Sequence, residues 1–100
     1  MSQPVYLATA IEDFSEILAY VTRESGSLKT GQAFVTRLRD KCAHIASLSG
    51  KLGTDRSELA RGLRSTTTKG YVIFFRYQDD CVEIVNILHG SRDLVSFFDG

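Results

Sequence analysis

One hundred residues make one domain's worth of chain, enough to bury a single core. With 43% apolar and 24% charged residues, the composition is ordinary for a globular protein and excludes intrinsic disorder. Twelve basic and twelve acidic residues give zero net charge, which speaks against a protein that grips nucleic acid mainly through its phosphates. No apolar run approaches the roughly 18 residues of a membrane span, and Met1–Ala10 lacks the basic start and apolar run of a secretory signal. Two cysteines, Cys42 and Cys81, are too few for a disulfide framework. The expectation is therefore a single cytoplasmic domain over residues 1–100 with reduced, packed thiols.

In chain order, Pro4-Val5-Tyr6-Leu7-Ala8 is short and β-prone and reads as a first strand. Thr9 stands three residues before Glu12, a capping-box spacing. Ile11, Phe14, Leu18 and Val21 follow at i, i+3, i+7 and i+10, one stripe of an amphipathic helix that stops at Ser25-Gly26. Ser27 caps a second helix with a stripe of Val35, Leu38, Cys42 and Ile45, weakened early by Gly31 and ended by Ser49-Gly50. The short link between them implies an antiparallel helix hairpin. Leu52 to Arg56 reads as a loop and Glu58 to Ser65 as a strand interrupted by Gly62, with Thr66-Thr67-Thr68-Lys69-Gly70 as a turn. Tyr71 to Tyr77 and Cys81 to His89 are aromatic and β-branched and form the two strongest strands, joined by Gln78-Asp79-Asp80.

Both strong strands carry apolar side chains on both faces. Strict alternation sends Val82, Ile84 and Leu88 one way and Val85 and Ile87 the other, while Ile73 and Phe75 oppose Val72 and Phe74. A single helix hairpin covers only one face. The other is closed by the C-terminal tail with its Phe97-Phe98 pair, by the sheet folding on itself, or by a second chain.

Charge is unevenly spread. Lys51 to Arg76 holds six bases against two acids, and Tyr77 to Gly100 one base against five acids. Arginine suits bidentate contact with carboxylates and is enriched at interfaces. Arg61, Arg64, Arg76 and Arg92 are thus candidates for contact with an acidic partner. For Arg64 an internal ion pair with Asp93 or Glu83 is the competing reading, and Arg92 is equally suited to pairing with the adjacent Asp93. His89 precedes Gly90 and reads as a structural residue bonded to backbone at the strand's end. Cys42, His44, Cys81 and His89 lack zinc spacing, and neither a Gly-rich phosphate loop nor a nucleophile elbow is present, so no metal, nucleotide or other cofactor is expected.

The order strand, helix hairpin, three antiparallel strands resembles the ParE/RelE toxin superfamily of bacterial toxin–antitoxin systems. The carriers are Leu59-Ala60-Arg61-Gly62-Leu63-Arg64-Ser65, then Tyr71-Val72-Ile73-Phe74-Phe75-Arg76-Tyr77, then Val82-Glu83-Ile84-Val85-Asn86-Ile87-Leu88-His89-Gly90-Ser91-Arg92-Asp93. The resemblance implies an α+β fold of the order β-α-α-β-β-β, with an N-terminal strand, an antiparallel helix hairpin and a three-stranded antiparallel sheet. It also implies a small cytoplasmic toxin that inhibits DNA gyrase by protein–protein binding, does not bind DNA directly on its own, has no membrane contact, and is neutralised by a ParD-like antitoxin in a hetero-oligomer. The RelE-like branch of the superfamily instead holds ribosome-associated mRNA endoribonucleases, and on that alternative His89, Arg64 and Arg92 make a minimal set, as proton carrier and phosphate clamps. That branch typically carries a C-terminal catalytic tyrosine, and this sequence has no tyrosine after Tyr77. On the ParE-like reading no residue is catalytic, and Arg61, Arg64, Arg76, Arg92, Phe97 and Phe98 are the expected antitoxin- or target-binding residues.

Overall fold

In a computed structural model, which describes residues 3–48, 52–91 and 97–98, the chain opens with β1 (Gln3–Tyr6). This strand pairs in parallel with the last strand, β5 (Cys81–His89), in the register Pro4↔Val82 and Tyr6↔Ile84. Pro4 has no amide proton and is tolerated because β1 lies at the sheet's edge. Helix α1 (Ala8–Ser25) follows at once and continues along the same margin of β5. The Leu7 amide donates to the Ile84 carbonyl at 3.0 Å, and the Thr9 hydroxyl donates to the Val85 carbonyl at 2.6 Å. One turn later Asp13 Oδ2 accepts from both the Ile87 amide and Asn86 Nδ2, each at 2.9 Å. Side chains at i and i+4 of a helix thus replace the strand that β5 lacks beyond Ile84. The Thr9–Glu12 capping box does not form: Leu7 is the N-cap, with no side-chain bond, because the Thr9 hydroxyl is committed to β5.

Gly26 ends α1 in the left-handed conformation at φ 73°, its amide donating to the Thr22 carbonyl. Ser27 then accepts from the Thr30 amide and starts α2 (Leu28–Ser47), as the sequence predicts; residues 49–50, expected to end it, lie outside the described residues. Gly31 is where the helices meet. A Cβ there would overlap Thr22 Oγ1 and lie 3.1 Å from Leu18 Cδ1, so the glycine that weakens α2 locally also permits the close crossing.

The remaining strands are β2 (Thr54–Asp55), β3 (Arg64–Thr68) and β4 (Tyr71–Tyr77), giving a five-stranded sheet in the order β1-β5-β4-β3-β2. The expected three-stranded antiparallel unit is present as β3, β4 and β5. Three local expectations shift. Leu52 to Arg56, expected as a loop, contains β2, which pairs antiparallel with β3 through Thr54↔Ser65 and Asp55↔Arg64. The segment expected to begin a strand at Glu58 is a run of turns up to Gly62, which sits at φ 72°; β3 starts only at Arg64. Thr66–Thr68 are strand rather than turn, as β-branched residues prefer. The turn is confined to Lys69 and Gly70, whose positive φ values of 52° and 83° are those of a two-residue primed hairpin turn.

A bulge in β5 changes which residues share a face. Phe74 pairs with Asn86 but Phe75 with Ile84, leaving Val85 unpaired. The extra residue resets the alternation: Val82, Ile84 and Ile87 face the helices with Ile73 and Phe75, and Leu88 joins Val85 on the far side. Strict alternation places Ile87 and Leu88 the other way round.

The helix-side core contains Ala10, Ile17, Leu38, Cys42, Ile45 and Ala46, with Tyr6, Phe14, Val21 and Val35 half-buried against it. The far face holds Leu63, Val72, Phe74 and Leu88. It is covered by Leu59, Ala60, Phe97 and Phe98, with the Phe98 ring edge-on to Phe74 at 5.0 Å. Of the coverings the sequence allows, the chain's own tail is the one observed. Burial pushes the Cys42 thiol from its ordinary 9.0 to about 11, outweighing the Tyr6 hydroxyl and the Arg39 charge, which pull it down.

Three outcomes follow. Asp13→Ala leaves the Ile87 amide and the Asn86 side chain without their acceptor and should cost on the order of 1–3 kcal/mol in urea unfolding, with Asp13→Asn costing less; an unchanged midpoint contradicts the edge-satisfying role. Phe98→Ala should cost about 1–3 kcal/mol by the same measurement. Cys42 should resist Ellman's reagent at pH 8 until the chain unfolds. Because its pKa is raised on folding, the thiol's contribution to stability is complete below pH 9.0 and declines as the pH rises toward about 11.

Candidate functional site

With the far face closed, an apolar groove remains open between the helices. Ile11, Phe14, Ser15 and Leu18 of α1, Val35 and Arg39 of α2 and Tyr6 of β1 line a groove of about 400 Å³. Ile11 is 57% exposed. α1 therefore carries two apolar lines: Ala10 and Ile17 are buried toward the sheet, whereas Ile11 and Leu18 face the groove. The stripe read from the sequence, Ile11, Phe14, Leu18 and Val21, follows the groove-facing line and leaves out the buried Ala10 and Ile17, since each line has helical spacing.

The floor of the groove is built around Tyr6. The Tyr6 ring meets Phe14 edge-on at 5.5 Å, and the Arg39 guanidinium lies over its face at 5.5 Å. Burial, with the neighbouring Cys42 adding to it, raises the Tyr6 hydroxyl pKa. The result is an apolar trough with one cation at its rim, a shape suited to the apolar face of a partner helix.

The arginines named from the sequence are dispersed. Arg64 donates from Nε to the Leu52 carbonyl and from Nη2 to the Gly53 carbonyl, both at 2.8 Å, and so pins the start of the segment after α2. The Glu83 ion pair weighed for Arg64 is made instead by Arg76, at 3.1 Å. Arg61 is exposed in the turn before β3, and Arg92 lies outside the described residues. Phe97 and Phe98 are half-buried on the far face.

His89 ends β5. Its Nδ1 accepts from the Ser91 amide at 3.2 Å and lies 2.7 Å from the Ser91 hydroxyl, and its ring stands edge-on to Tyr71 at 5.3 Å. Burial, and secondarily Tyr20, raises the Tyr71 hydroxyl pKa. Arg64 pairs with Phe75, and His89 with Tyr71. Arg64 and His89 are thus four residues apart along the strands, roughly 13 Å, and two strands apart across the sheet, roughly 10 Å. The structure does not bring them together. Among the described residues no group of three His, Cys, Asp or Glu side chains could hold a metal ion, and no helix is long and apolar enough to cross a membrane.

The family described as "ParE toxin of type II toxin-antitoxin system, parDE" matches residues 5–94. Toxin ParE3 of Caulobacter vibrioides is 32% identical over 73 residues, which are 73% of this chain and 72% of that protein. A solved structure, "Chromosomal ParDE TA system from P. aeruginosa", superposes with a TM-score of 0.64 over 89% of this chain and 96% of that chain, at 18% identity, and so shares the fold. The chain accordingly belongs to the ParE toxin family of type II toxin–antitoxin systems.

Proposed function

We propose that this toxin acts in the cytoplasm by binding and inhibiting DNA gyrase, and that a ParD-like antitoxin neutralises it by seating an amphipathic helix in the groove between α1 and α2. The observation that carries the second half is the open apolar trough itself. Ile11 and Leu18 are surplus to the core, and a groove lined by them with Val35 and Phe14 takes a helix with apolar anchors at i, i+3 or i+4 and i+7. Arg39 at its rim favours an acidic flank on that helix. Arg61, exposed and outside both ion pairs, is the described member of the arginine set left for a partner.

Binding rather than catalysis is supported by the layout of the sheet. Cleavage of RNA by a 2′-hydroxyl needs a proton carrier and a phosphate clamp within reach of the same phosphate. Arg64 is spent on two backbone carbonyls, far from His89.

The purified chain should inhibit gyrase supercoiling in a dose-dependent way, and His89→Gln should inhibit equally. Ile11→Glu should retain that inhibition yet lose antitoxin binding by about tenfold or more, measured by titrating the antitoxin into the supercoiling assay. Full supercoiling at saturating toxin, with discrete cuts inside codons of transcripts from expressing cells, overturns the proposal in favour of an mRNA endoribonuclease using Arg64, His89 and Arg92.

A further inference from the structure

The two helices differ in charge. α1 carries Glu12, Asp13, Glu16 and Glu24 against Arg23, whereas α2 carries Lys29, Arg37, Arg39 and Lys41 against Asp40. On α2 the residues Phe34, Arg37, Lys41 and His44 fall at i, i+3, i+7 and i+10 and so share one flank. Val35 and Arg39, which line the groove shared with α1, fix the other flank. Phe34 fixes the direction of the first, its ring edge-on to Tyr71 of β4 at 5.7 Å. The stripe therefore faces away from α1, over the helix side of the sheet toward β4.

Its charges have no ion-pair or hydrogen-bond partner among the described residues. Both ion pairs among the described residues lie elsewhere, Arg56–Glu58 and Arg76–Glu83. The side chains of Arg37, Lys41 and His44 make no hydrogen bond with any described residue, and Lys41 is half-buried all the same. Asp40 stands within three or four positions of Arg37 and His44 but pairs with neither. It lines a separate hollow with Thr36, Arg39 and Tyr6.

We infer that this flank of α2 seats an acidic segment of the neutralising antitoxin, distinct from the helix in the groove; the inference rests on the antitoxin reading above. From Phe34 to His44 the stripe is roughly 15 Å long. Over that length an extended segment presents two or three carboxylates on one side, about 7 Å apart, against a rise of about 6 Å between Arg37 and Lys41. Two other occupants fit less well. A second copy of this chain would offer the Glu12–Glu16 side of α1, but Asp13 on that side is already committed to the Ile87 amide and Asn86 Nδ2. A nucleic acid would meet two full cations and an imidazole beside Asp40 on a chain of zero net charge, too few for phosphate-driven binding.

The test is fluorescence anisotropy of a labelled decaglutamate peptide with the full chain at low salt. Binding should weaken about tenfold or more in Arg37→Gln/Lys41→Gln/His44→Gln and again at high salt. It should be unchanged in the control Arg23→Gln/Lys29→Gln/Lys69→Gln, which removes at least as much charge elsewhere. The single variant Arg37→Glu, at an exposed position, should show the same loss if the triple variant folds poorly by circular dichroism. Absence of binding, equal loss in the control, or tighter stripe-dependent binding of a 20-base-pair duplex each overturns the inference. The peptide assay needs no antitoxin, so its failure leaves the Ile11→Glu result, and with it the groove reading, standing or falling on its own.

Discussion

The outer margin of β5 is the constraint around which this fold is arranged. β1 covers only its first four residues; beyond Ile84 the strand would present backbone groups to no partner, inside a packed molecule. α1 supplies Thr9 and Asp13 one turn apart to meet the Val85 carbonyl and the Ile87 amide. That requirement fixes the rotation of α1 about its own axis. Once Asp13 must reach β5, Ala10 and Ile17 turn inward and Ile11 and Leu18 turn toward α2 and solvent. The groove is thus a by-product of satisfying a strand edge, and the bulge at Val85 belongs to the same arrangement, since it sets which backbone groups point outward.

Closure of the sheet's far face redirects where an interaction surface can lie. Phe74 is fully buried beneath Phe98 and the turn at Leu59–Ala60, so the most apolar strand in the chain contributes to the interior on both sides. Among the described residues the helices keep one open apolar trough and one basic flank, and Arg61 stays exposed in the turn before β3. Two of the four arginines that drew attention in the sequence are structural members. Arg64 is a strut for the segment entering β2, and Arg76 is tied to Glu83.

Much of the architecture was legible in the residues. β4 and β5 are plain in their aromatic and β-branched runs, and the helix hairpin follows from Gly26-Ser27. The misreadings have physical causes. Thr9 looked like a cap because spacing alone cannot tell which backbone group a hydroxyl will meet. Ile87 and Leu88 exchanged faces because a bulge adds one residue with no sequence mark of its own. Thr66–Thr68 reads as a turn from its turn-forming neighbours Lys69-Gly70, but three β-branched residues favour strand. The groove went unread for a different reason. Its signal, more apolar positions on α1 than one core-facing line requires, is visible only when the helix is split into two lines, and the split depends on the contact between Asp13 and β5. The unpaired stripe on α2 was likewise hidden, since i, i+3, i+7 spacing of cations reads as ordinary solvated surface until one sees which flank the neighbouring helix occupies.

The parallel pairing of β1 with β5 joins parts of the chain that are far apart in sequence; the Thr9–Val85 bond alone spans 76 positions. Contacts of such separation form late, because a long loop must close before they reward it. The helix hairpin, being local, can collapse early, but Tyr6 at the floor of its trough is held in place by Ile84. A nascent chain therefore displays the walls of the groove before it has a floor. An antitoxin helix seated as proposed, against both walls and the floor, would recognise the toxin only after the final strand has been made and docked, so that capture would coincide with the moment the molecule first becomes complete.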